Sequence, residues 1–291
     1  VSVMRAGKIV ARYATAQTNV EELARAMVGG ELPALAQRSA ARREEHAVIA
    51  ISGLRARTDA DALEDVSLEV HAGEIVGIAG VEGNGQSALA DALAGVAPYE
   101  GVIRFSGAEL GPSVTPRQRL ANGIRMIPQD RQHEALVLNW SVADNAILGQ
   151  QRRSELRRGP QIDRNAGNRF AQEIVERFDV RPARIDVRMR GLSGGNQQKV
   201  VVGRALVGKP AFVLAHQPTR GVDVGAATLV QSRLIEARNA GTAILLISLE
   251  LDEIFALSDR ILVLFRGKVV GEFPRERFDR ARIGALMAGS A

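Results

Sequence analysis

From about residue 47 to 273, short apolar runs alternate with helical patterns, and the shape of those runs sets the architecture. Val76-Gly77-Ile78-Ala79, Phe212-Val213-Leu214-Ala215 and Ala243-Ile244-Leu245-Leu246-Ile247 are strand-length and apolar throughout. A strand with no polar face must be covered on both sides, as in parallel sheets wrapped by helices. Residues 88–94 read as an apolar helix after the first run. Between residues 129 and 191 the period becomes mainly helical, with Phe170, Ile174, Val175 and Phe178 on one face. The pattern predicts an α/β domain with a largely parallel sheet and a helical subdomain inserted over about residues 130–191.

The two ends of the chain repeat each other. Val3-Met4-Arg5-Ala6-Gly7-Lys8-Ile9-Val10 resembles Val263-Leu264-Phe265-Arg266-Gly267-Lys268-Val269-Val270. At the same offset of 260 residues, Ala26-Met27-Val28-Gly29 matches Leu286-Met287-Ala288-Gly289. Each copy reads as strand, Gly-Lys turn, strand and a short helix ending at glycine. A shared register of this length predicts a duplicated domain, with residues 1–30 as the tail of a preceding copy and the chain as a fragment of a two-domain protein. Residues 31–46 lack strand alternation and read as a linker, and the main domain spans 47–291. Val1 stands inside what reads as a strand, and no basic segment followed by an apolar one marks a leader.

Hydrophobic residues at 46% and charged residues at 24% exclude a disordered chain. The absence of cysteine excludes disulfides and thiolate metal sites. No apolar run approaches the ~20 residues needed to cross a bilayer. The net charge of +5 is the one bulk feature favouring nucleic acid or anionic lipid. Yet the densest basic run, Arg152-Arg153-Ser154-Glu155-Leu156-Arg157-Arg158, holds no aromatic residue on which a base could stack. It reads as solvated surface, and no nucleic-acid partner is expected.

Candidate chemistry lies at two glycine-rich strings. Gly80-Val81-Glu82-Gly83-Asn84-Gly85-Gln86-Ser87 follows a strand and opens a helix. There successive backbone N–H groups and the helix N-terminus can cradle phosphate, although the usual lysine is Gln86. Leu192-Ser193-Gly194-Gly195-Asn196-Gln197-Gln198-Lys199 opens a second apolar helix. A helix cap alone would need only Ser193. Ile127-Pro128-Gln129-Asp130-Arg131 lies between the two, and Pro218-Thr219-Arg220-Gly221-Val222-Asp223 follows them.

In this order and spacing the four strings resemble the ATP-binding-cassette (ABC) ATPases, over residues 47–289. The resemblance implies a P-loop NTPase cassette: α/β, with a mainly parallel core sheet, an antiparallel β subdomain and the inserted helical subdomain. It implies ATP at Gly80, Gly83, Asn84, Gly85, Gln86, Ser87 and the Q-loop residue Gln129, with Ser87 and Gln129 weakly holding Mg²⁺. Ser193, Gly194, Gly195, Asn196 and Gln197 form the signature, which in this family acts on a partner cassette's ATP, and Asp223 takes the D-loop position. The Asn-Gln-Gln signature and the Pro-Gln-Asp-Arg loop look like those of sugar-type importers, which carry two cassettes per chain. The phosphate loop most resembles the second cassette of the subgroup linked to nucleoside uptake. The implied partners are a first cassette of the same chain or a second copy, integral membrane permease subunits, and an extracellular solute-binding protein reached through the permease. The implied place is the cytoplasmic face of the plasma membrane.

Four positions depart from the family pattern. Gln86 replaces the phosphate-neutralising lysine, and His216 replaces the Walker B aspartate that supports Mg²⁺. Gln217 stands where a glutamate would polarise water, and Leu249 where the switch histidine would reach the γ-phosphate. All four reduce charge stabilisation or proton transfer, so this site is expected to be slow or inactive. Glu250 is a possible substitute base. No aromatic residue in 55–63 offers itself to adenine. Two other readings remain: a soluble ABC-type ATPase acting on nucleic acid or ribosomes, and an inert truncated cassette.

Overall fold

The computed structural model describes residues 1–5, 7–28, 35–39 and 46–290. Ala6 and Gly29 of the repeat, and most of the segment read as a linker, lie outside the described residues.

The chain opens with a hairpin of β1 (Ser2–Arg5) and β2 (Lys8–Arg12), a 3-10 turn at Thr15–Gln17, and α1 (Val20–Val28). The main body begins with β3 (Ala47–Arg57) and β4 (Ala62–His71), and β5 (Ile75–Ala79) then feeds α2 (Gln86–Ala94). Next come β6 (Tyr99–Phe105), β7 (Ala108–Glu109), α3 (Pro116–Ala121) and β8 (Ile124–Ile127). The inserted region holds a π-turn at Arg131–Ala135, α4 (Val142–Ala146), two-residue strands β9 (Arg157–Arg158) and β10 (Gln161–Ile162), and α5 (Arg164–Arg177). The last third comprises α6 (Gly194–Leu206), β11 (Phe212–His216), α7 (Val224–Asn239), β12 (Ala243–Ile247) and α8 (Leu251–Leu257). It closes with β13 (Arg260–Phe265), β14 (Lys268–Pro274) and α9 (Arg280–Met287).

The core is a six-stranded sheet ordered β14-β13-β5-β12-β11-β8, parallel throughout except for the antiparallel edge strand β14. A four-stranded antiparallel sheet, β4-β3-β6-β7, packs beside it. Both agree with the predicted fold class. The inserted region is less regular than its periodicity suggests: α5 carries the apolar face, while much of the rest is short turns and the β9–β10 hairpin.

Alternation along the central strands fixes what covers each face. Phe212 and Leu214 of β11, with Ala243, Leu245 and Ile247 of β12, join the core under α2 and the antiparallel sheet. Val213 and Ala215, with Ile244 and Leu246, join the core under α5, α6 and α7. The helices that begin at the two glycine-rich strings therefore lie on opposite faces of one sheet.

The terminal repeat extends to its irregularities. The β1–β2 register shifts between Val3 and Met4, and the β13–β14 register between Val263 and Leu264, 260 residues on. The turn at Thr15–Gln17 matches Arg275–Arg277. Asn19 accepts the Glu22 N–H at 2.9 Å, as Asp279 accepts the Arg282 N–H at 3.1 Å. The two ends differ in cover: Leu264 is 1% exposed within the core under α2 and the antiparallel sheet, whereas Met4 is 65% exposed.

Residues 35–39 lie along α7 and the end of α8. The Ala36 N–H donates to Ser232 Oγ at 3.3 Å, Asn239 Nδ2 to the Gln37 carbonyl at 2.8 Å, and Arg38 to the Ala256 carbonyl at 3.2 Å. Arg38 and the buried Arg238 share the carboxylate of Asp259. Among the described residues no helix is long and apolar enough to cross a membrane.

Candidate functional site

The loop at residues 80–87 joins the inner strand β5 to α2, as a phosphate cradle requires. Gly85 adopts φ +111°, and a Cβ there would lie 2.8 Å from the Ala62 carbonyl oxygen. Only glycine admits that approach, and it brings the β3–β4 turn onto the loop.

That turn delivers a residue the motifs did not single out. The N–H groups of Gly85, Ser87 and Ala88 all donate to the Asp61 carboxylate, at 3.1, 3.1 and 2.8 Å. Asp61 is held in its turn by the Thr58 N–H, which donates to the Asp61 carbonyl at 2.9 Å, and by its own N–H donating to Thr58 Oγ1 at 3.2 Å. Three convergent donors on one carboxylate make the loop an anion cradle, filled by an acidic side chain of the chain itself.

Gln86 is buried, and its amide is engaged within the loop. Nε2 donates to the Val81 carbonyl at 3.0 Å and Oε1 accepts the Asn84 N–H at 3.0 Å. Asn84 Oδ1 accepts the Arg266 N–H at 2.7 Å, and Asn84 Nδ2 donates to the Val81 carbonyl at 2.8 Å. Gln86 and Asn84, expected to contact nucleotide, thus brace the loop through their side chains.

His216 ends β11 and follows Ala215 in the alternation, so it faces the α2 side. It is 6% exposed, and burial, then the Arg220 charge, lowers its pKa from 6.5 to about 4 against the opposing pull of Asp61. It is therefore neutral at pH 7. Gln217 is buried at φ +53°, its N–H bonded to the Ile247 carbonyl at 2.8 Å. Leu249 is 37% exposed. Glu250 starts α8, while Glu253, one turn on, is buried and accepts from Thr219 Oγ1 at 2.8 Å. Burial raises the Glu253 pKa against the opposing pull of the polar side chains around it, Ser248, Thr219 and Gln231.

Ser87 and Gln129 are half-buried oxygen donors, and neither is charged. Among the described residues no group of three or more His, Asp or Glu is placed to hold a metal ion. With a neutral His216 at the end of β11, the position expected from the sequence to support Mg²⁺, this donor set does not fit magnesium, which prefers hard and usually anionic oxygens.

The signature is built around a helix cap. Ser193 is exposed and accepts from Asn196 Nδ2 at 2.9 Å, and Asn196 Oδ1 accepts the Arg181 N–H at 2.7 Å. Gly195 is buried against Asp223, expected from the sequence to take the D-loop position: a Cβ at Gly195 would lie 2.8 Å from Asp223 Oδ2. Asp223 itself caps α7 by accepting the Ala226 N–H at 2.9 Å. Beside Gly194 lies the Arg131 guanidinium, which donates to the Arg220 carbonyl at 3.0 Å and so ties the Q-loop to the strand-end loop. Gln197 points inward, its Nε2 on the Met189 and Leu192 carbonyls at 3.2 Å and its Oε1 accepting from Gln132. Among the described residues no hydrogen bond joins residues 80–87 to residues 193–197.

Residues 63–220 match the family model described as ABC transporter. The guanosine import ATP-binding protein of Bacillus subtilis is 39% identical over 100% of this chain and 57% of its own length. The nucleoside import ATP-binding protein of Lactococcus lactis subsp. cremoris is 36% identical over 99% of this chain and 57% of its own. The glucose import ATP-binding protein of Haloferax volcanii is 38% identical over 99% and 53%. The chain thus spans little more than half the length of these relatives. Among solved structures, a nucleotide-free ATP-binding cassette from an ABC transporter superposes with TM-score 0.67 at 23% identity, over 83% of this chain and 95% of that one. The ADP conformation of another such cassette also gives 0.67, at 22% identity over 84% and 95%. At that identity the likeness speaks for the fold.

Proposed function

The chain belongs to the ABC transporter family, and from that premise we propose that it is an ATP-binding portion of an importer for a nucleoside or sugar, serving its partner's ATP site better than its own. The observation that carries this reading is the parity of β11 and β12, which puts α2 and α6 on opposite faces of the core sheet. The signature then has no route to the phosphate loop of its own chain, and an exposed Ser193 is free to meet another's. At the chain's own loop, Gln86 is turned inward, His216 is neutral and Leu249 offers no polar atom. The groups that would stabilise a developing phosphoryl charge or accept a proton are missing, so turnover there should be feeble.

In this reading hydrolysis of ATP to ADP and phosphate supplies the free energy of transport, and the cradle at residues 80–88 takes the phosphates of a nucleotide that is cleaved there only slowly. The N-terminal unit is read as the tail of a preceding cassette. The bulge, turn and cap shared with β13, β14 and α9 support that, as does Met4, exposed where Leu264 is packed in the core. The relatives named for guanosine, nucleoside and glucose import support the solute class. A permease and an external solute-binding protein complete the assembly.

Steady-state ATP turnover by the purified chain tests the reading. A rate near background is expected. A robust, Mg²⁺-dependent rate would overturn it.

A further inference from the structure

We infer that Asp61 is an internal stand-in for phosphate, which closes this chain's own nucleotide site until it is displaced. The inference rests on the proposed reading of residues 80–87 as a nucleotide cradle, and adds how that cradle is regulated.

Asp61 takes up donors that the start of a helix leaves without partners. The Gly85, Ser87 and Ala88 N–H groups precede the first intrahelical donor of α2, the Leu89 N–H, and each points at an Asp61 oxygen. A carboxylate receiving three backbone N–H bonds at a helix N-terminus is favoured by both the hydrogen bonds and the dipole. A second, independent observation is that the turn is built to reach this spot. Thr58 and Asp61 close it on themselves through backbone and hydroxyl. On one side Gly85 makes room for it; on the other, the Glu64 N–H donates to the Gly267 carbonyl at 2.8 Å, fixing the start of β4 to the β13–β14 turn. Asp61 is therefore presented by a braced hairpin rather than a loose side chain.

Charge explains why the carboxylate competes well here. A helix N-terminus contributes roughly half a positive charge, which suits one carboxylate. The much denser charge of a di- or triphosphate calls for a cation, and Gln86 supplies none. Replacing a tethered ligand costs a free one the fraction of time the site stands open, so apparent affinity falls by that fraction.

The test compares wild type with Asp61→Ala and with Asp61→Asn, which keeps the size of the side chain and drops its charge. Two measurements are made on the 291-residue chain: ADP affinity by calorimetry, and hydrogen exchange at the amides of Gly85, Ser87 and Ala88. Asp61→Ala is expected to bind ADP at least tenfold more tightly, and Asp61→Asn to gain a smaller factor. In Asp61→Ala the three amides should exchange faster than in wild type and slow again with ADP. Equal ADP affinity in all three proteins, or unchanged exchange at those amides, overturns the inference. Turnover measured alongside separates the two ideas. A robust wild-type rate defeats the proposed division of labour, whereas a silent wild type with an Asp61→Ala variant that binds no tighter defeats only the role of Asp61.

Discussion

The Thr219 hydroxyl donates to Glu253 Oε1 at 2.8 Å, and this contact between two buried side chains ties the loop after β11 to α8. The other carboxyl oxygen, Oε2, is buried without a partner. Burial raises the Glu253 pKa, so the folded state holds this proton more tightly than the unfolded chain. Its contribution to stability is full below the unfolded pKa and is lost as pH rises through the folded one. Glu253→Gln keeps the acceptor and removes the charge. It should melt higher than wild type at pH 8, by an amount of order 1 kcal/mol, and match it near pH 4, in paired calorimetric scans.

His216 sets the opposite slope. Its folded pKa of about 4 lies below the ordinary 6.5, so in that window the unfolded chain binds a proton that the native state refuses. Stability should therefore fall as pH drops from 6.5 towards 4, by about 3 kcal/mol in total. His216→Leu should flatten that segment of the curve in urea titrations. An unchanged slope would mean that the buried imidazole is not its source.

Gln86 should matter to the shape of the phosphate loop more than to turnover. Gln86→Ala strips a partner from the Asn84 N–H and another from the Val81 carbonyl, and should cost about 1–2 kcal/mol of stability. ATP turnover by the chain, proposed above to be feeble, should not change, as single-turnover kinetics beside a denaturation curve would report.

The two serine–glycine positions of the signature should separate structure from function. Gly195→Ala pushes a Cβ against Asp223 and Ala226, and should lower stability by about 1–3 kcal/mol. Ser193→Ala sits at an exposed cap and should cost about 1 kcal/mol or less. In a reconstituted pair with an intact partner cassette, Ser193→Ala should lower that partner's hydrolysis at least tenfold while leaving nucleotide binding to this chain unchanged.

The parallel core was legible because strands such as β11 and β12 are apolar on both faces, which leaves helices as their only cover. The long helix α5 was legible through Phe170 and Ile174. The five-residue α4 and the two-residue strands of the β9–β10 hairpin are too short to show any period, so the inserted region looked more helical than it is. Within the site, the parity of β11 already placed His216 opposite Ala215. Asp61 was hidden because its partners lie up to 27 residues away and nothing in their spacing encodes the meeting. The only local signal was turn chemistry between Thr58 and Asp61. Gln197 read as part of a contact string, but it falls one helical turn before Val201 on the buried face of α6.

Residues 35–39 are clasped onto the main body at one place, against α7 and the end of α8. There Asp259 is gripped by Arg38 from one side and Arg238 from the other, just beyond the end of α8. Loss of the Arg38 contacts should therefore be felt at α7 and at the C-terminal end of α8, the helix whose first turn follows Leu249.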